Sequence, residues 1–506
     1  MSLESGGAAA AAKRPRPPAE DGETGQHDHL SALPEPLQLR ILSFLPLRSA
    51  ILASSLSRSW RGLWARRWED DGNPSASLHH HLRPYATPSS NKLLESLELR
   101  QSQGRRGRID RYSLVVHILA MRARVLGRYL AAAAGCGVED LRVELRTSPD
   151  TPLLFPFPAA AGPALARLSL RGIWVSGLHS RTARPSAALE AVLLHSVRLN
   201  DRDLARMLAL CPRLRVLGLH SCTGISRVAV TAAMGLTSLR SVTIVDCNYL
   251  TAVDFAAVPS VRSFRYSGGF FSSFYLPGDA LFADVDIRFG VQKSRNVLIC
   301  QKVFSDWFES RVCSKLTTLT ICSNVLFVVS SLLNATSHAE STKMGGDLFR
   351  SMTELQLIML EMKAPELANI YVFLNKSGCS NLERLFVQFP IAPHEPLVDS
   401  FDYVGLEQPP DVLENLKVVK ITNFNWNRYE LQLVCILLRK ASSLHKLLLI
   451  TPSLEPLQVH GIQQQADLLF LAEAVANGKV ILSGSDDAAT QPFHSDASAD
   501  FKTFSC

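Results

Sequence analysis

Leu214-Arg215-Val216-Leu217-Gly218-Leu219-His220-Ser221-Cys222 (LRVLGLHSC) is the stretch whose reading decides the fold. Leu217 and Leu219 stand two apart, so on an extended chain both point to one face. Leu214 precedes them by three residues and Cys222 follows by three. The pattern stands upstream as Leu165-x-x-Leu168-x-Leu170 and Leu189-x-x-Val192-x-Leu194. It stands downstream as Leu239-x-x-Val242-x-Ile244-x-x-Cys247 and Val261-x-x-Phe264-x-Tyr266. The starts are 24, 25, 25 and 22 residues apart. Between these strands, Leu204, Met207 and Leu208 recur at helical spacing. One such unit cannot bury its own apolar edge, but a stack of them can.

A period of 20–29 residues with LxxLxLxx(N/C) is the leucine-rich-repeat signature. Cys222 and Cys247 fall at its turn position, where a thiol packs and hydrogen-bonds, so both read as structural. After Ser267 the array turns irregular, and Gly268–Ser294 and Ser337–Gly346 read as loops or variant repeats. Strand cores return at Leu316-x-x-Leu319-x-Ile321, Met352-x-x-Leu355-x-Leu357, Leu382-x-x-Leu385-x-Val387, Leu416-x-x-Val419-x-Ile421 and Leu444-x-x-Leu447-x-Leu449. A helix is predicted over Glu430–Lys440, and Gln463–Asn477 reads as a capping helix ended by Gly478. Upstream, Leu114–Leu130 reads as an amphipathic helix within an arginine-rich stretch, Arg100–Arg128, that holds eight arginines and one acid. Cys136–Leu145 alternates as a strand.

The N-terminal part carries a second pattern. Over His29–Trp68 the chain reads HLSALPEPLQLRILSFLPLRSAILASSLSRSWRGLWARRW. Pro34 opens a helix where its missing N–H costs little, and Glu35 meets the dipole in the first turn. Leu37, Ile41, Leu42 and Leu45 follow at helical spacing, and Pro46 stops the helix. Trp60, Leu63 and Trp64 then recur at i, i+3, i+4. Forty residues are too few for a private core, so the apolar face must rest on something else.

In order and spacing, Asp28–Trp64 resembles the F-box as plant F-box proteins carry it, with Pro36 and Ser49 departing from the usual residues. The stretch Pro410–Ile450 is similar to the C-terminal FBD-type module of such proteins. The resemblance implies docking on a Skp-type adaptor of a cullin–RING ubiquitin ligase, through Leu33, Pro34, Leu37, Ile41, Leu42, Leu45, Leu56, Trp60, Leu63 and Trp64. The fold class expected is α/β: a helical F-box followed by a curved leucine-rich-repeat solenoid. The expected division is a disordered tail at 1–26, the F-box at 27–70, a linker at 71–92, and the solenoid at 93–450, FBD-like over 410–450. A capping segment at 451–482 and a disordered tail at 483–506 complete it.

Composition limits the function. The chain is 47% hydrophobic and 20% charged over 506 residues with net charge +7, values of a globular soluble chain with no nucleic-acid bias. Ten cysteines without a CxxC suit a reducing compartment. The longest apolar run, Val325–Leu333, is too short to span a membrane, and the N-terminus lacks a signal core. The expected location is therefore cytoplasmic or nuclear, with Lys13-Arg14-Pro15-Arg16 as a minimal basic patch. His79-His80-His81 lies in a polar stretch without further ligands beside it, so no metal is expected there. P-loop, GxGxxG, GxSxG, HExxH and kinase motifs are absent.

The expected function is thus that of a non-catalytic substrate receptor in a ubiquitin ligase, without a cofactor and with an unidentified target protein. Strand positions alternating with the buried ones nominate Ser169, Arg171, His195, His220, Arg265 and Gln388 for a concave target-binding face, provided the register holds. Two other readings compete: a repeat scaffold that delivers nothing for ubiquitination, and a receptor holding a small anionic ligand by its arginines.

Overall fold

The computed structural model describes most of residues 30–494; the longer stretches outside the description are 1–29, 67–76, 291–310, 339–347, 392–412, 453–461 and 495–506. The expected tail 1–26, its basic patch, Leu56 and the start of the FBD-like stretch therefore lie outside the described residues.

Helices Glu35–Phe44 and Leu47–Ala53 and a short 3-10 turn at Leu63–Ala65 form the N-terminal unit. The strands then run β1 (Ser77–Leu82), β2 (Arg111–Val116), β3 (Asp140–Leu145), β4 (Leu154–Pro156), β5 (Arg167–Arg171), β6 (Trp174–Ser176) and β7 (Ala191–His195). Next come β8 (Val216–His220), β9 (Arg227–Ala229), β10 (Ser241–Val245), β11 (Ala252–Asp254), β12 (Ser263–Gly268), β13 (Ser273–Tyr275) and β14 (Asp284–Phe289). The array ends with β15 (Thr318–Cys322), β16 (Glu354–Ile358), β17 (Arg384–Gln388), β18 (Val418–Thr422), β19 (Lys446–Ile450) and β20 (Val480–Ser483). Fifteen of these make one parallel sheet, in the order β1-β2-β3-β5-β7-β8-β10-β12-β14-β15-β16-β17-β18-β19-β20. The remaining strands make two small sheets, β13-β11-β9 and β4-β6. This is a solenoid of leucine-rich-repeat type, in which each strand pairs with its neighbours in the array.

The sheet register explains the repeat. Leu168, Val192, Leu217, Val242, Phe264, Val285, Leu319, Leu355, Leu385, Val419 and Leu447 stand side by side across it. All are buried in one core that runs from Leu82 to Val480. The residue after several strands turns left-handed: Gly172 (φ 66°), Ser196 (52°), Ser221 (50°) and Asp246 (54°). The N–H of each donates to the next repeat's carbonyl, as from Ser196 to His220 and from Ser221 to Val245, both 2.8 Å. The bond offsets a backbone state that costs a non-glycine residue about 1–2 kcal/mol. Behind that turn the Cys222 thiol donates to the Leu194 carbonyl at 3.5 Å.

Three expectations change and one open alternative is resolved. The linker at 71–92 carries β1, paired Ser77↔Arg111 to Leu82↔Val116, and the start of helix Thr87–Ser102. Leu114–Leu130 is not one helix. Tyr112, Leu114 and Val116 alternate into the core from β2, and helix Ala123–Gly135 begins later. Of the two readings left open for Gly268–Ser294, part of it is the variant repeat: it contains β14, whose Phe282-x-x-Val285-x-Ile287 has phenylalanine in the leucine slot, with Phe282 fully buried. The tail expected at 483–506 is ordered where described, at 484–486 and 490–494. Helix Ile462–Ala476 closes the array, with Gly478 at φ 72° behind it.

Candidate functional site

The open face of the sheet is built from residues between the core positions. One row runs Arg167, Ala191, Val216, Ser241, Ser263, Asp284, Thr318, Glu354, Arg384, Val418 and Lys446. The next runs Ser169, Leu193, Gly218, Thr243, Arg265, Asp286, Thr320, Gln356, Phe386, Lys420 and Leu448. The six nominated residues all stand on this side, because the strand register matches the leucine spacing. They are not equally accessible. Ser169 is fully buried, so it is not available to a target. Arg265 reaches Asp286 at 3.6 Å, and Arg171 lies 3.9 Å from Glu144. Gln388 is exposed.

The chain covers its own open face from both ends. At one end the N-terminal unit sits on the first row. Leu39, Leu42, Ala50, Ile51, Trp60, Leu63 and Trp64 share one apolar cluster with Ala166 and Ala191, and Val216 packs beside it. The Arg167 guanidinium lies 4.6 Å above the Trp64 ring. Arg167 belongs to a buried charge cluster in which Arg142 and Arg167 each approach Asp140 at 3.5 Å. Burial, and Arg167 beside it, push the Arg142 pKa down. Leu42, Trp60, Leu63 and Trp64 are therefore buried in this shared cluster, Trp64 directly under Arg167, and are not open to an adaptor in this arrangement. Ile41 and Leu45 are half-buried against the same cluster, and Leu33 is half-buried as well. Pro34 and Leu37 face outward, Leu37 at 51% exposure, and Leu52 joins them at 43%. Leu52 and Leu39 were missing from the sequence-based set. An unbroken apolar run such as Ala50–Ala53 does not by itself show which residue faces out.

At the other end, Thr490–His494 runs across the sheet from β19 to β14. Lys420 on β18 donates to the Thr490 carbonyl at 2.7 Å, and Arg384 on β17 donates to the Gln491 carbonyl at 2.8 Å. The Phe493 N–H donates to Glu354 on β16 at 2.6 Å. His494 Nε2 lies 3.1 Å from Asp284 on β14, and its Nδ1 lies 2.8 Å from Thr320 on β15. Asp286 is held by Arg288 at 2.7 Å, and Arg288 also reaches the His494 carbonyl at 3.5 Å. These receiving residues were missed. Their signal was present as charges set between core positions, as in Asp284-Val285-Asp286 and Val419-Lys420-Ile421.

Between the covers lies a window around His195 and His220. Their rings stack with centroids 4.4 Å apart. Burial, then His220 and Arg171, lower the His195 pKa to about 4, so this ring is uncharged at neutral pH. Among the described residues no group of three or more His, Cys, Asp or Glu is placed to hold a metal, and His79–His81 alternate along β1. Burial raises the thiols of Cys211 and Cys435 to about 12, which disfavours the nucleophilic thiolate. The arrangement offers binding surface, and in the same window the Ser196 hydroxyl lies 2.9 Å from His195 Nδ1 and the Ser221 hydroxyl 3.0 Å from His220 Nδ1.

Both parts of the chain are similar to known proteins. Residues 110–467 match the At1g61320/AtMIF1 LRR domain, and residues 30–69 match the F-box domain. The LRR match runs through the stretch read as FBD-like. An Arabidopsis thaliana F-box/LRR-repeat protein, At5g54820, is 24% identical over 453 residues, 82% of this chain and 89% of its own. The Arabidopsis thaliana F-box/FBD/LRR-repeat protein At3g49030 is 27% identical over 44% of this chain and 47% of its own. A chain of the Drosophila Toll–Spatzle complex superposes on 75% of this chain and 61% of its own, at TM-score 0.31 and 13% identity.

Proposed function

Since this chain belongs to the F-box/LRR-repeat family, with a protein-interaction or substrate-recognition role, we propose that it is the substrate receptor of a Skp–cullin–F-box ubiquitin ligase. F-box domains bind Skp-type adaptors, and in this reading Pro34, Leu37 and Leu52 make that contact. Leu42, Trp60, Leu63 and Trp64 hold the F-box on the solenoid instead. The observation that carries the proposal is this division of one small helical unit into an anchored face and an exposed apolar face. Exposed leucines of this kind are suited to burial in a partner. A rigidly seated F-box would then hold the repeats, and any protein bound to them, at a fixed distance from the ligase. The receptor would do no bond chemistry. It would raise the effective concentration of target lysines near the ubiquitin-carrying enzyme.

The test is co-purification of the full chain with a Skp-type adaptor, with and without Leu37→Asp. Retention by the native chain and loss by the variant, with unchanged circular dichroism, support the proposal. No retention by either chain would leave a repeat scaffold as the better description.

A further inference from the structure

The tail segment is bound the way a ligand is bound. Along Thr490–His494 the sheet meets main-chain atoms as well as side chains: carbonyls held by Lys420, Arg384 and Arg288, one N–H held by Glu354, and the Thr490 hydroxyl held by Lys446 at 3.1 Å. Any extended peptide presents the main-chain groups, so such a groove reads backbone as well as side chains. Side chains are read at the two ends. Asp486 pairs with Lys420 near one end, and the His494 ring sits between Asp284 and Thr320 at the other. The groove carries charge of both signs, with Arg384, Lys420 and Lys446 at the end of Asp486 and Asp284, Asp286 and Glu354 towards the end of His494, where Arg384 pairs Glu354 and Arg265 and Arg288 pair Asp286. Lys420 and Asp284 each retain only 2% exposure under this cover. Charges buried so deeply need compensating partners, and here segments far along the chain supply them.

We infer that the open face over β14–β19 is a peptide-binding groove, and that an extended segment of the target protein, with an acidic residue at one end and a histidine at the other, displaces the chain's own tail from it. The inference rests on the open face being the target-binding surface, and it deepens that reading by stating what the surface recognises. The tail is tethered, so a target segment competes against a high local concentration. The apparent affinity for an outside peptide is reduced by the fraction of groove left open.

The test uses the full chain with a specific protease site inserted between Gly484 and Asp486, and a fluorescein-labelled peptide with the sequence of residues 484–498. Anisotropy is read on the uncut chain and on the cut chain freed of its tail. The expected result is at least tenfold tighter binding after cutting. The same peptide with His494→Ala should bind at least tenfold more weakly, and a scrambled peptide should not bind. Equal binding before and after cutting, or no binding by a cut chain of native circular dichroism, overturns the inference. Should cutting unfold the chain, uncut full chain carrying His494→Ala decides: its affinity for the native peptide must rise, and an unchanged affinity also overturns the inference. Adaptor co-purification is scored separately. Lost peptide binding with adaptor binding intact sinks only the groove, and lost adaptor binding sinks only the ligase reading.

Discussion

Trp64→Ala tests what holds the F-box to the repeats. Trp64 is 6% exposed and packs among Leu42, Ile51, Trp60, Ala166 and Ala191. Truncating a buried tryptophan costs about 3–5 kcal/mol in transfer and cavity terms. Arg167, fully buried over the ring at 4.6 Å, loses its aromatic partner as well, worth about 1–2 kcal/mol when desolvated. The total is about 4–7 kcal/mol. The loss falls on the seam, because the F-box is too small for a core of its own and repeat arrays couple mainly between neighbours. Hydrogen exchange read by mass spectrometry separates the two regions. Protection over Glu35–Phe44 should fall by about a thousandfold or more, at about 1.4 kcal/mol per decade, or to the unprotected rate if less protection is present. Protection over Val418–Ile450 should stay unchanged. Unchanged exchange in the helix would refute the seam as its anchor. Equal loss in both regions would refute the independence of F-box and distal repeats.

Three further outcomes follow from the same geometry. Leu37→Asp, at an exposed position, should change the urea midpoint by no more than about 0.5 kcal/mol equivalent while removing adaptor binding; a large stability loss would show that Leu37 is packed. Gly172→Ala places a Cβ 2.9 Å from the Leu145 carbonyl at φ 66°, whereas Gly235→Ala at φ 65° meets nothing within 4 Å. Thermal unfolding should thus show Gly172→Ala as the costlier change, against about 1–2 kcal/mol for the shared left-handed backbone alone. Burial raises the Glu430 pKa from 4.5 to about 7, against the N–H of Asn425, which donates to its carboxylate at 2.7 Å. Between those two values the folded state holds more protons than the unfolded one. Glu430 therefore lowers stability as pH rises from 4.5 to about 7, by about 3 kcal/mol in all, with no further loss above. Glu430→Gln should flatten that part of the profile in urea titrations, and an unaltered profile would contradict the shift.

The repeat was legible because its signal is local. Each strand needs apolar residues two apart, and a leucine three residues earlier fills the same core, so Leu214, Leu217 and Leu219 declare their roles within six positions. Around Phe282 the spacing to the flanking repeats is irregular, so the stretch reads equally as loops or a variant repeat, and the pairing of β14 with β12 and β15 decides for the repeat. The helix drawn over Leu114–Leu130 failed because a short apolar run fits both periods, and pairing of Tyr112 with Leu141 on β3 settled it as strand.

The sequence by itself determined the solenoid, the F-box before it, and the side of the sheet on which Arg171, His195, His220, Arg265 and Gln388 stand. Only the tertiary structure decided what covers that side. The Arg167–Trp64 contact and the His494–Asp284 pair join residues about 100 and 210 apart, and leave no periodic mark on the chain. Periodicity records which face of an element must leave water. It does not record which distant segment comes to meet the other face, because that depends on charge and shape brought together only after folding.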